Sequence, residues 1–165
     1  MGRAAEVGDG IGSQLVAATL VRDLMRLCFL MERRYAPYTK WFGTAFARLD
    51  AARVVTPSLQ GALRAGTWQG RERHLCAAYE AVAHMHNALG ITEALAEHVS
   101  FFHDRPFRVI HGERFASALV DAIADPEVRG LVHRAGLIGA IDQVTDNVDV
   151  LSNPAQYVKL RALYE

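Results

Sequence analysis

Residues Val21 to Phe46, VRDLMRLCFLMERRYAPYTKWFGTAF, constrain the fold of this chain more than any other stretch. An apolar run of core-helix quality carries arginines, meets a proline, and resumes as a short aromatic and basic segment. Placed on one helix, Arg22, Arg26 and Arg33 follow i, i+4 and i+11, which at about 100° per residue puts them in one narrow sector. The result is a basic stripe on an apolar rod. Such a rod needs a core on one side and acids, anions or water on the other.

The chain can build that core. It has 165 residues, 51% apolar and 22% charged, which is the material of one compact domain. Lys+Arg and Asp+Glu balance at 18 each, so the global basic field of a general nucleic-acid binder is absent and any anion site is local. Cys28 and Cys76 sit inside apolar helical patterns without CxxC or Cys/His ligand spacing, so two buried free thiols in a reducing compartment are expected, and no metal site. The N-terminal MGRAAEVGDGIGSQ lacks the charged segment and uninterrupted apolar run of a signal peptide. Arg22, Asp23 and Arg26 interrupt the most apolar window, which argues against a membrane span and for a cytoplasmic protein.

Taken in order, residues 1–10 lack apolar periodicity and read as a lead-in, and residues 11–165 as a single helical domain. From Ile11 two apolar lines, Ile11/Leu15/Ala18/Met25 and Val16/Leu20/Leu24/Leu27/Met31, predict a central helix ending near Tyr35, because Pro37 disfavours helical geometry at Ala36. A shorter helix is expected over Tyr38 to Leu49, with Trp41, Ala45 and Leu49 on one side. Residues 50–56 read as a connection, with Pro57 opening a short helix that stops at Gly66. A long helix follows from Gln69 to Leu89, with Thr67 as N-cap and Gly90 as a left-handed C-cap; Leu75, Tyr79, Val82, His86 and Leu89 share one face. Residues 91–110 are the least regular, tucked down by Phe101, Phe102 and Phe107, and only 107–110 could be extended, without an obvious partner. A helix is expected over Gly112 to Ala124, then a turn capped by Asp125 and Pro126. The last two helices are expected over Gly139 to Leu151 and from Pro154 to Tyr164. The fold class is an all-α bundle of about five to seven helices.

Four constellations could carry chemistry. The basic stripe could grip phosphate or carboxylate with guanidinium forks. Its competing explanation is structural: Asp142, Asp146 and Asp149 at i, i+4 and i+7 form an acidic stripe that would pair with Arg22 and Arg26 inside the bundle. The second candidate is Tyr38, Thr39, Lys40 and Trp41, which place hydroxyls, an ammonium and an aromatic face at a helix start, with Arg33 just before the break. Against it, Trp41 and Phe46 could be core and Lys40 could lie along them. Third, Ile11-Gly12-Ser13 followed by Asp23-Leu24 superficially matches a nucleotidyltransferase signature, but that chemistry needs two carboxylates two apart on a strand. Here the second position is Met25 in a helical segment, so the match fails. Last, His84 and His86 diverge on a helix and make no metal pair, and His86 reads as a hydrogen-bonded core histidine. Arg105 and His111 have the spacing of a small helical ribonuclease, interrupted by Pro106. No Ser/His/acid relay is evident.

The run RDLMRLCFLMERRYAPYTKWFGTAFARL, with GRAAEVGDGIGS before it and HNALGIT, RPFRVIHGERFASAL and AIDQVTDNVDVL after it, resembles an uncharacterised bacterial domain family. In longer members that domain is the C-terminal helical part of nucleotidyltransferase-like proteins. The resemblance implies an accessory substrate- or nucleotide-binding domain, similar to the helical substrate-binding domains beside antibiotic nucleotidyltransferases and not catalytic alone. It also implies that Arg33 and Tyr38 to Trp41 face an interdomain cleft. Nucleoside triphosphate and Mg²⁺ would come with a separate catalytic domain or chain, the partner so implied. The alternative is a structural module that forms a homodimer or docks on a catalytic chain; a helical ribonuclease would need Arg105 and His111 on one helix.

Overall fold

The computed structural model of the chain describes residues 1–136 and 153–163. It is the expected all-α bundle, with one small hairpin added. The described elements are α1 (Gly2–Glu6), α2 (Gly10–Met31), α3 (Thr39–Phe46), α4 (Asp50–Arg64), α5 (Trp68–Ala88), β1 (Ser100–Phe101), β2 (Arg108–Val109), α6 (Gly112–Asp121) and α7 (Pro126–Ala135). A further helix runs over Pro154–Leu160 and ends in a 3₁₀ turn, Arg161–Leu163. The helix expected over 139–151 lies outside the described residues.

The core forms where α2, α4 and α5 meet, with α3 closing one end. Ala17, Val21, Leu24, Cys28 and Phe29 of α2 pack with Ala51, Ala52, Val55, Leu59 and Ala62 of α4 and Leu75, Ala78 and Val82 of α5. The spacing of these residues is the helical period that drives each face inward. α4 and α5 approach closely at Gly61, where a Cβ would lie 2.5 Å from Nδ1 of His74, so a bare Cα suits the position. Thr67 caps α5 as the sequence predicts, its Oγ1 accepting from the Gly70 amide at 3.1 Å, and Gly90 follows the helix with φ +63°.

Several elements differ from the sequence expectation. α2 stops at Met31, four residues before Tyr35, because the chain turns through a left-handed residue, Arg33, and not at the proline. Nor is α2 apolar contact all round: Ile11, Leu15 and Leu30 are largely exposed. The helix after the break is Thr39–Phe46, and its inward side chains are Phe42 and Phe46, with Leu49 following; Trp41 faces out. Residues 50–64 are one continuous helix with Pro57 inside it. Pro57 lies on the exposed face, where water can serve the carbonyl that loses its amide donor. Arg108–Val109 does find a strand partner: Ser100 pairs with Val109 and Phe101 with Arg108, antiparallel. The Asp125-Pro126 signature opens the ten-residue helix α7, not a mere turn, with Asp125 Oδ1 accepting from the Glu127 and Val128 amides. Within the stretch read as a lead-in, residues 2–6 are helical and Gly2 is buried.

Candidate functional site

The chain reversal between α2 and α3 is built by a Schellman arrangement. The Arg34 amide donates to Phe29 O at 2.9 Å and the Arg33 amide to Leu30 O at 3.0 Å, with Arg33 at φ +53°. Glu32, at the helix end, reaches across so that its Oε1 accepts from the Ala51 amide at 2.8 Å. That carboxylate caps α4, whose own N-cap residue is Leu49 and has no side-chain acceptor to offer. Phe29 then packs on Phe42 and Phe46, with ring centroids 5.5 and 6.3 Å apart, fixing α3 under the end of α2.

With the phenylalanines taking the core side, the other aromatic and basic side chains of the reversal are left outside. Tyr35 is 88% exposed, Trp41 51% and Tyr38 40%; Arg33, Arg34, Thr39 and Lys40 are exposed as well. Lys40 Nζ sits 5.3 Å from the centre of the Trp41 ring, a cation–π contact at the surface. Tyr38, the N-cap residue of α3, makes no capping bond with its own side chain. Phe46 is therefore core and Trp41 is not, so the packing explanation covers only half of this segment.

The other sequence candidates fall out differently. Arg22 and Arg26 are half-buried on α2, and their expected partners Asp142, Asp146 and Asp149 lie outside the described residues. Ser13 is fully buried and bonded to Arg71, a structural place far from that of a nucleotidyltransferase loop. His86 is buried, with Nε2 3.0 Å from Thr92 Oγ1 and its ring edge-on to Phe115. Arg105 lies in the hairpin turn beside Glu6, and His111 precedes α6, so the two do not project from one helix. Cys28 and Cys76 are free and buried; burial, reinforced by Glu32 and Glu72 respectively, pushes both thiols up to about 11.

Two features escape sequence reasoning. The first is a cleft of about 490 Å³ between α1, α5 and the hairpin, with Tyr79, Cys76 and Glu72 on the α5 wall and Phe102, Phe107 and His111 opposite. At its rim His111, left-handed at φ +54°, has Nε2 2.8 Å from Ser100 Oγ and Nδ1 3.4 Å from Glu113 Oε1. The hairpin register creates this chain of polar groups by setting Ser100 opposite Val109, two residues before His111. The second is Arg71, buried to 4% exposure in α5. Its only sequence signal is an arginine among the apolar positions of a helix.

A family model described as a domain of unknown function (DUF4037) matches residues 1–42. The matched segment takes in α1, α2 and the reversal up to the first turn of α3. No curated protein and no solved structure matches the chain. Among the described residues no group of His, Cys, Asp and Glu could hold a metal ion, and no helix is long and apolar enough to cross a membrane.

Proposed function

We propose that this chain is a helical accessory domain that binds a nucleotide or phosphorylated substrate for a nucleotidyltransferase-like catalytic domain, and does not perform the transfer itself. The observation that carries the reading is the exposed cation and aromatic platform of Arg33, Tyr38, Lys40 and Trp41 at the α2–α3 reversal. A half-exposed indole is a stacking surface for a base, and the ammonium beside it and a guanidinium in the same chain reversal are the groups that meet phosphates. Thr39 adds a hydroxyl at the start of α3, where the helix dipole favours an anion. The triphosphate-bound Mg²⁺ and the carboxylates that hold it would belong to the catalytic partner. The nucleotidyltransferase-like context comes from the resemblance of the sequence motifs alone; the family model that matches residues 1–42 describes a domain of unknown function.

The test is a titration of MgATP followed by tryptophan fluorescence, with Trp68→Phe as background so that Trp41 reports alone. Lys40→Ala and Arg33→Ala should each weaken binding about five- to tenfold, the worth of one charge-assisted contact at a surface. Equal affinities in wild type and Lys40→Ala would remove Lys40 from the site.

A second reading has its own observation. Ile11, Leu15 and Leu30 are 75%, 65% and 67% exposed along α2, more apolar surface on one helix than water favours. This ridge fits a module that self-associates or docks on a catalytic chain. Sedimentation velocity over a wide concentration range distinguishes the two: a concentration-dependent dimer abolished by Leu15→Glu supports the interaction module.

A further inference from the structure

Arg71 is a buried cation whose charge no carboxylate meets among the described residues. Its Nη2 donates to Ser13 Oγ at 2.9 Å and its Nη1 to Ala65 O at 3.0 Å, while Nε is buried with no acceptor. Among the described residues no carboxylate stands within ion-pair distance of it. A hydroxyl and one carbonyl at the end of α4 supply dipoles, worth a fraction of a charge, against a full positive charge taken out of water. The first turn of α5, three residues earlier, has no acidic residue and adds positive potential. Buried guanidiniums are normally paired, because an orphaned one is strongly destabilising.

Arg71 also lines a pocket of about 250 Å³ between α2 and α4. The pocket's other walls include Ile11, Leu15, Ala18 and Leu63, and three of these, Ile11, Leu15 and Leu63, are 75%, 65% and 56% exposed. A cation that no described carboxylate meets therefore forms one wall of a pocket whose remaining surface is mainly apolar and uncovered. One molecule satisfies both conditions.

We propose that this pocket binds a short-chain carboxylate, its carboxyl group on the Arg71 guanidinium and its hydrocarbon chain across Ile11, Leu15 and Leu63. At roughly 30 Å³ for each non-hydrogen atom, the packing volume of a water, the pocket takes about eight such atoms, the size of hexanoate. The site is separate from the Arg33–Trp41 platform and does not depend on the function proposed for it. Arg71 supplies a fork of donors matched to a carboxylate, which an alcohol or an amine of equal length cannot use.

The experiment is a titration of the full chain with sodium hexanoate, and separately with 1-hexanol and hexylammonium, read by amide and arginine Nε–H chemical shifts. Hexanoate should saturate, moving the Arg71 Nε–H and the amides of Leu15 and Leu63, and should bind at least about tenfold more tightly than hexanol, the worth of one charge-assisted contact. Arg71→Met should abolish that preference. Leu63→Glu alters only an exposed wall, so its fold is secure, and its negative charge at the mouth should weaken hexanoate about tenfold while leaving hexanol unchanged. No saturation in the wild type, equal affinity for hexanoate and hexanol, or unchanged hexanoate binding in Leu63→Glu would overturn the proposal.

Discussion

At the scale of single residues, the backbone of Arg33 is where structure and candidate function meet. A non-glycine residue at φ +53° costs about 1 kcal/mol relative to glycine, because its Cβ crowds the carbonyl. Arg33→Gly should therefore raise the urea midpoint by the equivalent of about 1 kcal/mol while weakening the nucleotide binding proposed for this site; lower stability would mean that the guanidinium helps hold the reversal together. The chemistry of this stretch was legible in the sequence because it is local, a proline, a lysine and three exposed aromatics within seven residues. The helix end was not, since Pro37 gives a visible stop signal and a Schellman turn through an arginine gives none. Arg71 was illegible for a different reason: its partner Ser13 is 58 residues away. The thiols followed the pattern expected of them. With both pushed up to about 11, about one in a thousand is ionised at pH 8, so iodoacetamide should label neither Cys28 nor Cys76 in the native chain and both in urea. Folded thiols that hold their protons above the ordinary value near 9 contribute stability fully below pH 9, and that contribution is lost as pH rises through 11. The fall in urea midpoint between pH 9 and 11 should be smaller in a Cys28→Ala/Cys76→Ala variant.

At the scale of elements, α4 shows how far packing can override a local signal. Pro57 reads as a helix start, yet the helix begins seven residues earlier and runs through it. Two things outside α4 make that happen. Glu32 caps its first turn from the end of α2, and Ala51, Ala52, Val55, Leu59 and Ala62 bury a continuous stripe across the proline. Neither is visible within residues 50–64. The proline keeps its cost, because the ring and the missing amide disfavour a helix interior by up to about 3 kcal/mol relative to alanine. Pro57→Ala should accordingly stabilise the fold, by about 1 to 3 kcal/mol in urea denaturation followed by circular dichroism. An unchanged midpoint would indicate that the helix is already relaxed around Pro57. Glu32→Ala works in the opposite direction and should cost about 1 kcal/mol, the usual value of an N-cap.

At the scale of the whole molecule, two kinds of adhesion hold the described chain together, and they should fail separately. The α2–α4–α5 core is apolar packing, and Leu75→Ala at its centre should cost about 2 to 5 kcal/mol and loosen everything at once. Residues 91–111 are attached differently, through acceptors projecting from α5 into the irregular backbone. Glu72 Oε1 accepts from the Arg108 amide at 2.8 Å, Glu80 Oε1 from the Val99 amide at 3.0 Å, and Asn87 Oδ1 from the Leu95 amide at 3.0 Å. On a helix, 72, 80 and 87 fall within one quadrant, so a single polar stripe of α5 supplies acceptors to the backbone amides of a segment in which Phe107 is the one buried residue. Sequence periodicity sees those three residues as the solvated face of a helix, which is why the segment looked unplaced. The consequence is a local opening that spares the core. In a Glu72→Ala/Glu80→Ala variant, hydrogen exchange at the Val99 and Arg108 amides should accelerate tenfold or more, since each lost bond to a carboxylate is worth about 1.5 to 3 kcal/mol. Exchange at Leu24, Val55 and Leu75 should stay within about twofold of the wild type. If those core amides accelerated in step with Val99 and Arg108, the hairpin and the bundle would be one cooperative unit, and the 490 Å³ cleft between them could open only by global unfolding.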